Sequence, residues 1–116
     1  MQFRSENQAI YRALEQVICA RFPDVQIRET KTQVGFFLGC GFAWASERGP
    51  RFILSLGLRC RLDSPRLFHA TESYPGRWTN HIVLASPDEI DAAVLVWLDD
   101  ARAFALERAL KGGRLK

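Results

Sequence analysis

No apolar run in this chain approaches the roughly 20 residues that a membrane-spanning helix needs. The N-terminal stretch MQFRSENQ carries a charge and no apolar signal core, so a cytoplasmic location is expected. Cysteine is scarce: Cys19, Cys40 and Cys60 are an odd number, widely spaced, with no C-x-x-C pair. That argues against a disulfide framework or zinc knuckle, and buried reduced thiols are expected. The chain also lacks a Ser/His/Asp order, a G-x-S-x-G elbow, a P-loop and a dinucleotide fingerprint. No cofactor is expected. The two histidines, His69 and His81, have no close ligand spacing with Cys60, and carboxylates are scarce around them, so no metal is expected either.

What is there suits one globular domain. The 116 residues are 47% apolar and 25% charged, enough to close a single core and too few to divide comfortably, so residues 1–116 form one domain. The net charge is only +3, but from Arg21 to His81 nine basic residues face five acidic ones, leaving seven against eight elsewhere. The middle of the chain is its basic part.

Helical periodicity opens and closes the sequence. Ser5 and Gln8 have capping-box spacing, and Ile10, Leu14, Val17 and Ile18 then recur on one face up to Pro23, giving a helix over about 6–21. Ser86-Pro87-Asp88-Glu89 supplies an N-cap hydroxyl, a proline for the first turn and early acids. A second helix over about 87–111 follows, with Ile90, Val94, Trp97, Leu98, Ala101, Phe104 and Ala105 as its stripe and Gly112-Gly113 as its stop.

Between the helices, over about 25–85, the period falls to two. RFILSLGLRC places Phe52, Leu54, Leu56 and Leu58 on one face, and Arg51, Ser55, Gly57 and Arg59 on the other. Val25 and Ile27 alternate with polar residues, Phe42 and Trp44 with alanines, and Trp78, Ile82 and Leu84 with Thr79, His81 and Val83. Glycine and proline turns at 39–41, 48–50, 63–65 and 75–76 are short, which implies antiparallel neighbours. The expectation is a two-layer α+β domain: N-terminal helix, antiparallel sheet of four to six strands, C-terminal helix, both helices on one sheet face.

Three groups of residues are candidates for function. Strict alternation from Val25 and Ile27 sends Glu29 and Lys31 to the core-side rim. Lys31 then either meets an anionic or carbonyl-bearing ligand in a cleft, or swings into water where the strand ends near Thr30. A second group is basic: Arg51, Arg59, Arg61, Arg66 and Arg77, flanked by Trp78, Tyr74 and Phe68, a composition able to hold phosphates and stack bases. The third is His81, facing away from Trp78, Ile82 and Leu84, as a proton shuttle, a ligand contact or a plain surface histidine.

Lys31-Thr32-Gln33-Val34 with Phe36, then Asp63-Ser64-Pro65-Arg66, then His81-Ile82-Val83-Leu84 and Ser86-Pro87-Asp88-Glu89-Ile90-Asp91 resemble the bacterial domain of unknown function 5655 family. The resemblance runs from about Tyr11 to Ala105. That family carries K-T-[RQ]-[IV]-x-F, a proline-arginine pair and H-H-[VI]-x-L, and Asn80 here replaces the first histidine. The resemblance implies a common fold and groups Lys31, Arg66 and His81, without naming a reaction.

The leading expectation is a non-enzymatic binding domain in which Lys31, Thr32, Arg66, His81 and Trp78 converge at a sheet edge around an anionic ligand or acidic partner group. Charge reversal at Lys31 or Arg66 is expected to abolish binding without unfolding the domain. A nucleic-acid accessory domain is the second reading, and a small enzyme with Lys31 or His81 as a base the third. A homodimer through the open sheet face or an edge is compatible with all three.

Overall fold

The computed structural model describes residues 2–111. Helix α1 (Ser5–Arg21) is followed by six strands, β1 (Gln26–Glu29), β2 (Gln33–Leu38), β3 (Cys40–Arg48), β4 (Arg51–Leu58), β5 (Leu67–Tyr74) and β6 (Arg77–Leu84). A 3-10 turn (Pro87–Glu89) leads into helix α2 (Ala92–Lys111). The strands form one antiparallel sheet in the order β1-β2-β3-β4-β6-β5, so the β5–β6 hairpin folds back and places β6 against β4. Leu14 and Ile18 of α1 and Val94 and Leu98 of α2 share one core with Phe36, Phe52, Leu54, Leu56, Ile82 and Leu84. Both helices therefore cover one sheet face, and the other is open.

Each helix starts differently from its capping signature. Ser5 makes no side-chain cap, and Gln8 donates to the Phe3 carbonyl (3.3 Å) instead of closing a box. The start is held by the β3–β4 hairpin: Glu47 accepts from the Arg4 backbone (2.9 Å) and from the Asn7 amide (2.7 Å), which also donates to the Pro50 carbonyl (3.2 Å). Pro87–Glu89 form the 3-10 turn and not the first turn of α2, because Ile90 packs toward the core with a non-helical backbone. Asp91 caps α2, accepting from the Val94 amide (3.3 Å), so the helix begins at Ala92 and not at 87. The Gly112-Gly113 stop lies outside the described residues.

Parity along β3 changes at a bulge. β2 pairs Phe36 with Ala43 and Phe37 with Gly41, leaving Phe42 as the extra residue. Phe42 and its neighbours Ala43 and Ala45 are buried, while Trp44 faces the other way beside Ser55. Phe42 and Trp44, expected on one face, thus lie on opposite faces. Elsewhere alternation holds: Phe52, Leu54, Leu56 and Leu58 pair with Leu84, Ile82, Asn80 and Trp78 on the helix side. Pro75-Gly76 closes the β5–β6 hairpin with Gly76 at φ +86°, the left-handed position that a type II turn gives to glycine.

Candidate functional site

Lys31 is settled by a hydroxyl. Alternation runs inward through Ile27 and Glu29, which pair with Phe36 and Val34. There β1 ends, because Thr30 turns the chain: its amide donates to the Gln33 carbonyl (2.8 Å) and its Oγ1 accepts from the Gln33 amide (3.2 Å). Lys31 and Thr32 are the exposed tip of that turn. Arg66 is engaged elsewhere, donating to the Glu89 carbonyl (2.9 Å) and ion-pairing with Asp91 at the start of α2. The pair raises the Arg66 pKa and holds Asp91 below its ordinary value, the side-chain hydrogen bond between them being the main cause. Trp78 shares the helix side with Leu58. Lys31, Thr32, Arg66, Trp78 and His81 therefore do not converge on one site.

The five-arginine patch divides in the same way. Arg59 pairs with Glu107 and lies over Phe104 on the helix side, Arg66 is held by Asp91, and Arg61 is exposed in the β4–β5 connection. Arg51 and Arg77 occupy outward positions. Two of the five are captured by carboxylates at the cap and in the body of α2, across 25 positions for Arg66–Asp91 and 48 for Arg59–Glu107, separations that residue spacing alone does not reveal. The thiols also depart from expectation: Cys40 is buried, but Cys19 and Cys60 are exposed.

His81 does face the open side, and a different set of residues surrounds it. A shallow cavity of about 320 Å³ is lined by Gln33, Trp44, Ser55, Arg77, Thr79 and His81. The cross-strand partners Ser55 and His81 share a hydrogen bond of 2.7 Å between Oγ and Nδ1. His69 of β5 stacks on His81 with ring centroids 6.0 Å apart. Burial, then His69 and Arg48, push the His81 pKa below its ordinary value. These neighbours favour the neutral ring, the opposite of what a carboxylate does for a catalytic histidine.

Arg77 forms the other wall. Its guanidinium lies over the bare backbone of Gly57, where a Cβ would come within 2.8 Å of Nη2, and 5.8 Å from the Trp44 ring. Nη1 donates to neutral hydroxyls only, Thr79 (2.7 Å) and Ser73 (3.2 Å), while Nε is buried with no hydrogen-bond partner. Burial, then the charge of Arg108, lower its pKa. The ion pairs among the described residues do not include Arg77. A half-buried cation whose partners are hydroxyls, an aromatic face and a second cation is short of negative charge.

A second cavity, about 360 Å³, lies between α1 and β1. Glu15 and Glu29 line it with Arg12 and Tyr11, whose hydroxyl donates to Glu15 (2.8 Å) and is pushed up in pKa chiefly by burial. Its two carboxylates suit an anion poorly. Among the described residues no three His, Cys, Asp or Glu side chains are placed to hold a metal ion, and no helix is long and apolar enough to cross a membrane.

Sequence reasoning missed Gln33, Trp44, Ser55, Gly57 and Thr79 as site residues and weighed Arg77 only as one charge of a patch. The available signal was Gly57 inside a leucine-rich strand, a position that marks close approach by another group. Asn80, which stands where the resembling motif has its first histidine, is buried and faces the helix side. It accepts from the Leu62 amide (2.8 Å) and donates to the Cys60 carbonyl (3.0 Å). Adjacent strand residues face opposite ways, so only position 81 of that pair reaches the cavity.

A family model described as Domain of unknown function (DUF5655) matches residues 2–107. No curated protein and no solved structure matches the chain.

Proposed function

Because the chain belongs to the DUF5655 family, whose description names no activity, we propose a function from the chemistry of the site itself: a small non-enzymatic binding domain for an anionic group. The site lies on the open face of the sheet and not at its edge. One observation carries the reading: the half-buried Arg77 guanidinium lines an open cavity with hydroxyls as its hydrogen-bond partners and no ion pair among the described residues. A carboxylate or phosphate there would accept from the Arg77 guanidinium where it lines the cavity, and the Ser55 and Thr79 hydroxyls and the Gln33 amide offer further hydrogen bonds. Trp44 supplies a flat apolar wall for whatever bears the charge.

The reading of His81 as a catalytic base is not favoured, because its surroundings lower its basicity and lend no carboxylate character to the site. Lys31 is exposed at the tip of a turn and lines neither of the two cavities described above. A cytoplasmic location belongs to the proposal, since the exposed thiols of Cys19 and Cys60 suit a reducing compartment. A bacterial source, implied by the resemblance, belongs to it as well. A homodimer through the open face would cover the cavity, so the monomer is taken as the binding form.

The test is a titration of inorganic phosphate and of adenosine monophosphate into labelled protein, followed by NMR. Shifts concentrated at Trp44, Arg77 and Thr79, lost in Arg77→Gln, are the expected result. No shift at millimolar ligand, or equal shifts in the variant, sinks the proposal.

A further inference from the structure

The sheet segregates its charges completely. Its three strand acids, Glu29, Glu47 and Glu72, pair with Val34, Phe52 and Trp78 on the helix side. Its basic side chains, Arg28, Arg48, Arg51, Arg77, His69 and His81, occupy the outward positions. Arg48 and Arg51 are direct cross-strand partners, a like-charge placement that destabilises a sheet unless a negative charge meets it.

The same face carries aromatic rings, each with a guanidinium over it. Arg28 lies 4.4 Å from the Phe37 centroid, Arg77 5.8 Å from Trp44, and Arg48 and Arg51 5.5 and 5.4 Å from Phe68. Glycines make room for two of these rings: a Cβ at Gly35 would meet Phe37 at 2.6 Å, and one at Gly41 would meet Trp44 at 2.5 Å. Phe68, 39% exposed, stands at the shift in β5 register. The outward row Arg28, Gly35, Trp44, Ser55, His81, His69 crosses all six strands. Five interstrand steps make it roughly 24 Å long, within reach of about four nucleotides, the smallest single-strand site size.

We propose that this open face binds single-stranded nucleic acid, its arginines meeting successive phosphates and Trp44 and Phe68 stacking with bases. The proposal rests on the anion site at Arg77 and names its ligand class. An acidic peptide would answer the charge but not the repeated pairing of ring with guanidinium. A duplex would answer the charge, but its bases are stacked on one another and offer no free faces to the rings.

The experiment is fluorescence anisotropy of labelled oligothymidylate and oligouridylate of about eight nucleotides, with the full chain, across a salt series. If all four arginines meet phosphates, the log–log salt slope is about −2.8. Affinity then falls about 50-fold between 50 and 200 mM salt. Arg48→Gln with Arg51→Gln, both on the exposed hairpin, should reduce the slope by about 1.4. Phe68→Ala, at an exposed edge position, should weaken binding about tenfold at every salt concentration.

No binding at low salt overturns the proposal, as does a duplex of the same length binding as tightly, or a slope unchanged in the double variant. Adenosine monophosphate shifts at Arg77 without oligonucleotide binding would overturn this inference alone and leave the anion site standing. Absence of both would remove the two together.

Discussion

Oγ of Ser55 and Nδ1 of His81 lie 2.7 Å apart across the β4–β6 ladder, and His69 stacks on the same imidazole from β5. The imidazole is therefore held between a neutral hydroxyl and a second histidine, with Arg48 adding positive charge. Its folded pKa lies below the ordinary 6.5, so the unfolded chain binds more protons as the pH drops below that value. Stability is then fully present above about pH 6.5 and is lost as the pH falls toward the folded pKa. Denaturation midpoints of wild type should decline over that window, and His81→Asn should flatten the decline. Parallel profiles for the two proteins would show that His81 is not the group responsible.

Gly57 and Arg77 are linked by contact. An added methyl at residue 57 meets a guanidinium nitrogen at 2.8 Å, the far end of a flexible side chain that can move aside. Gly57→Ala should leave stability within about 1 kcal/mol while weakening anion binding about tenfold, the scale of one charge-assisted hydrogen bond. Unchanged binding in this variant would mean that the position of the guanidinium over the sheet is unimportant.

Lys31 and Arg66 separate cleanly from the site. Lys31→Ala alters only a solvated turn, so it should change stability by no more than about 0.5 kcal/mol and leave phosphate binding as it was. Arg66→Ala removes the partner of Asp91 and of the Glu89 carbonyl at the start of α2, so it should lower the melting temperature and spare binding. Loss of binding in either variant, with the fold intact, would restore the sheet-edge site.

Asn80 anchors the connection between β4 and β5. Asn80→Ala leaves the Leu62 amide and the Cys60 carbonyl without their partner, at a cost of about 3 kcal/mol for two unsatisfied groups. Urea denaturation measures it. A loss below about 1 kcal/mol would show that water replaces the amide and that the connection does not depend on it.

Much of the architecture was legible because it depends on residue spacing alone. Ile10, Leu14 and Ile18 mark a helical face, and Phe52, Leu54, Leu56 and Leu58 the helix-side face of a strand. Alternation implies that β4 is half-buried, but its outward residues Ile53, Ser55 and Gly57 are buried too, beneath side chains from neighbouring strands. The outward position of His81 followed from the same alternation. Where a single local device broke the period, the reading drifted: the Thr30 hydroxyl ended β1 before Lys31, and the bulge at Phe42 turned Trp44 onto the open face.

Two amphipathic helices and an alternating antiparallel sheet were readable from residue order, since side-chain period and turn chemistry are properties of neighbours along the chain. Which arginines stay without a carboxylate among the described residues depended on how the elements pack. Glu107 and Asp91 reach Arg59 and Arg66 only because α2 packs back across the sheet, while Arg77, outward on β6 over Gly57, lies beyond their ion pairs. Charges are interchangeable in composition, and distance and burial make them different.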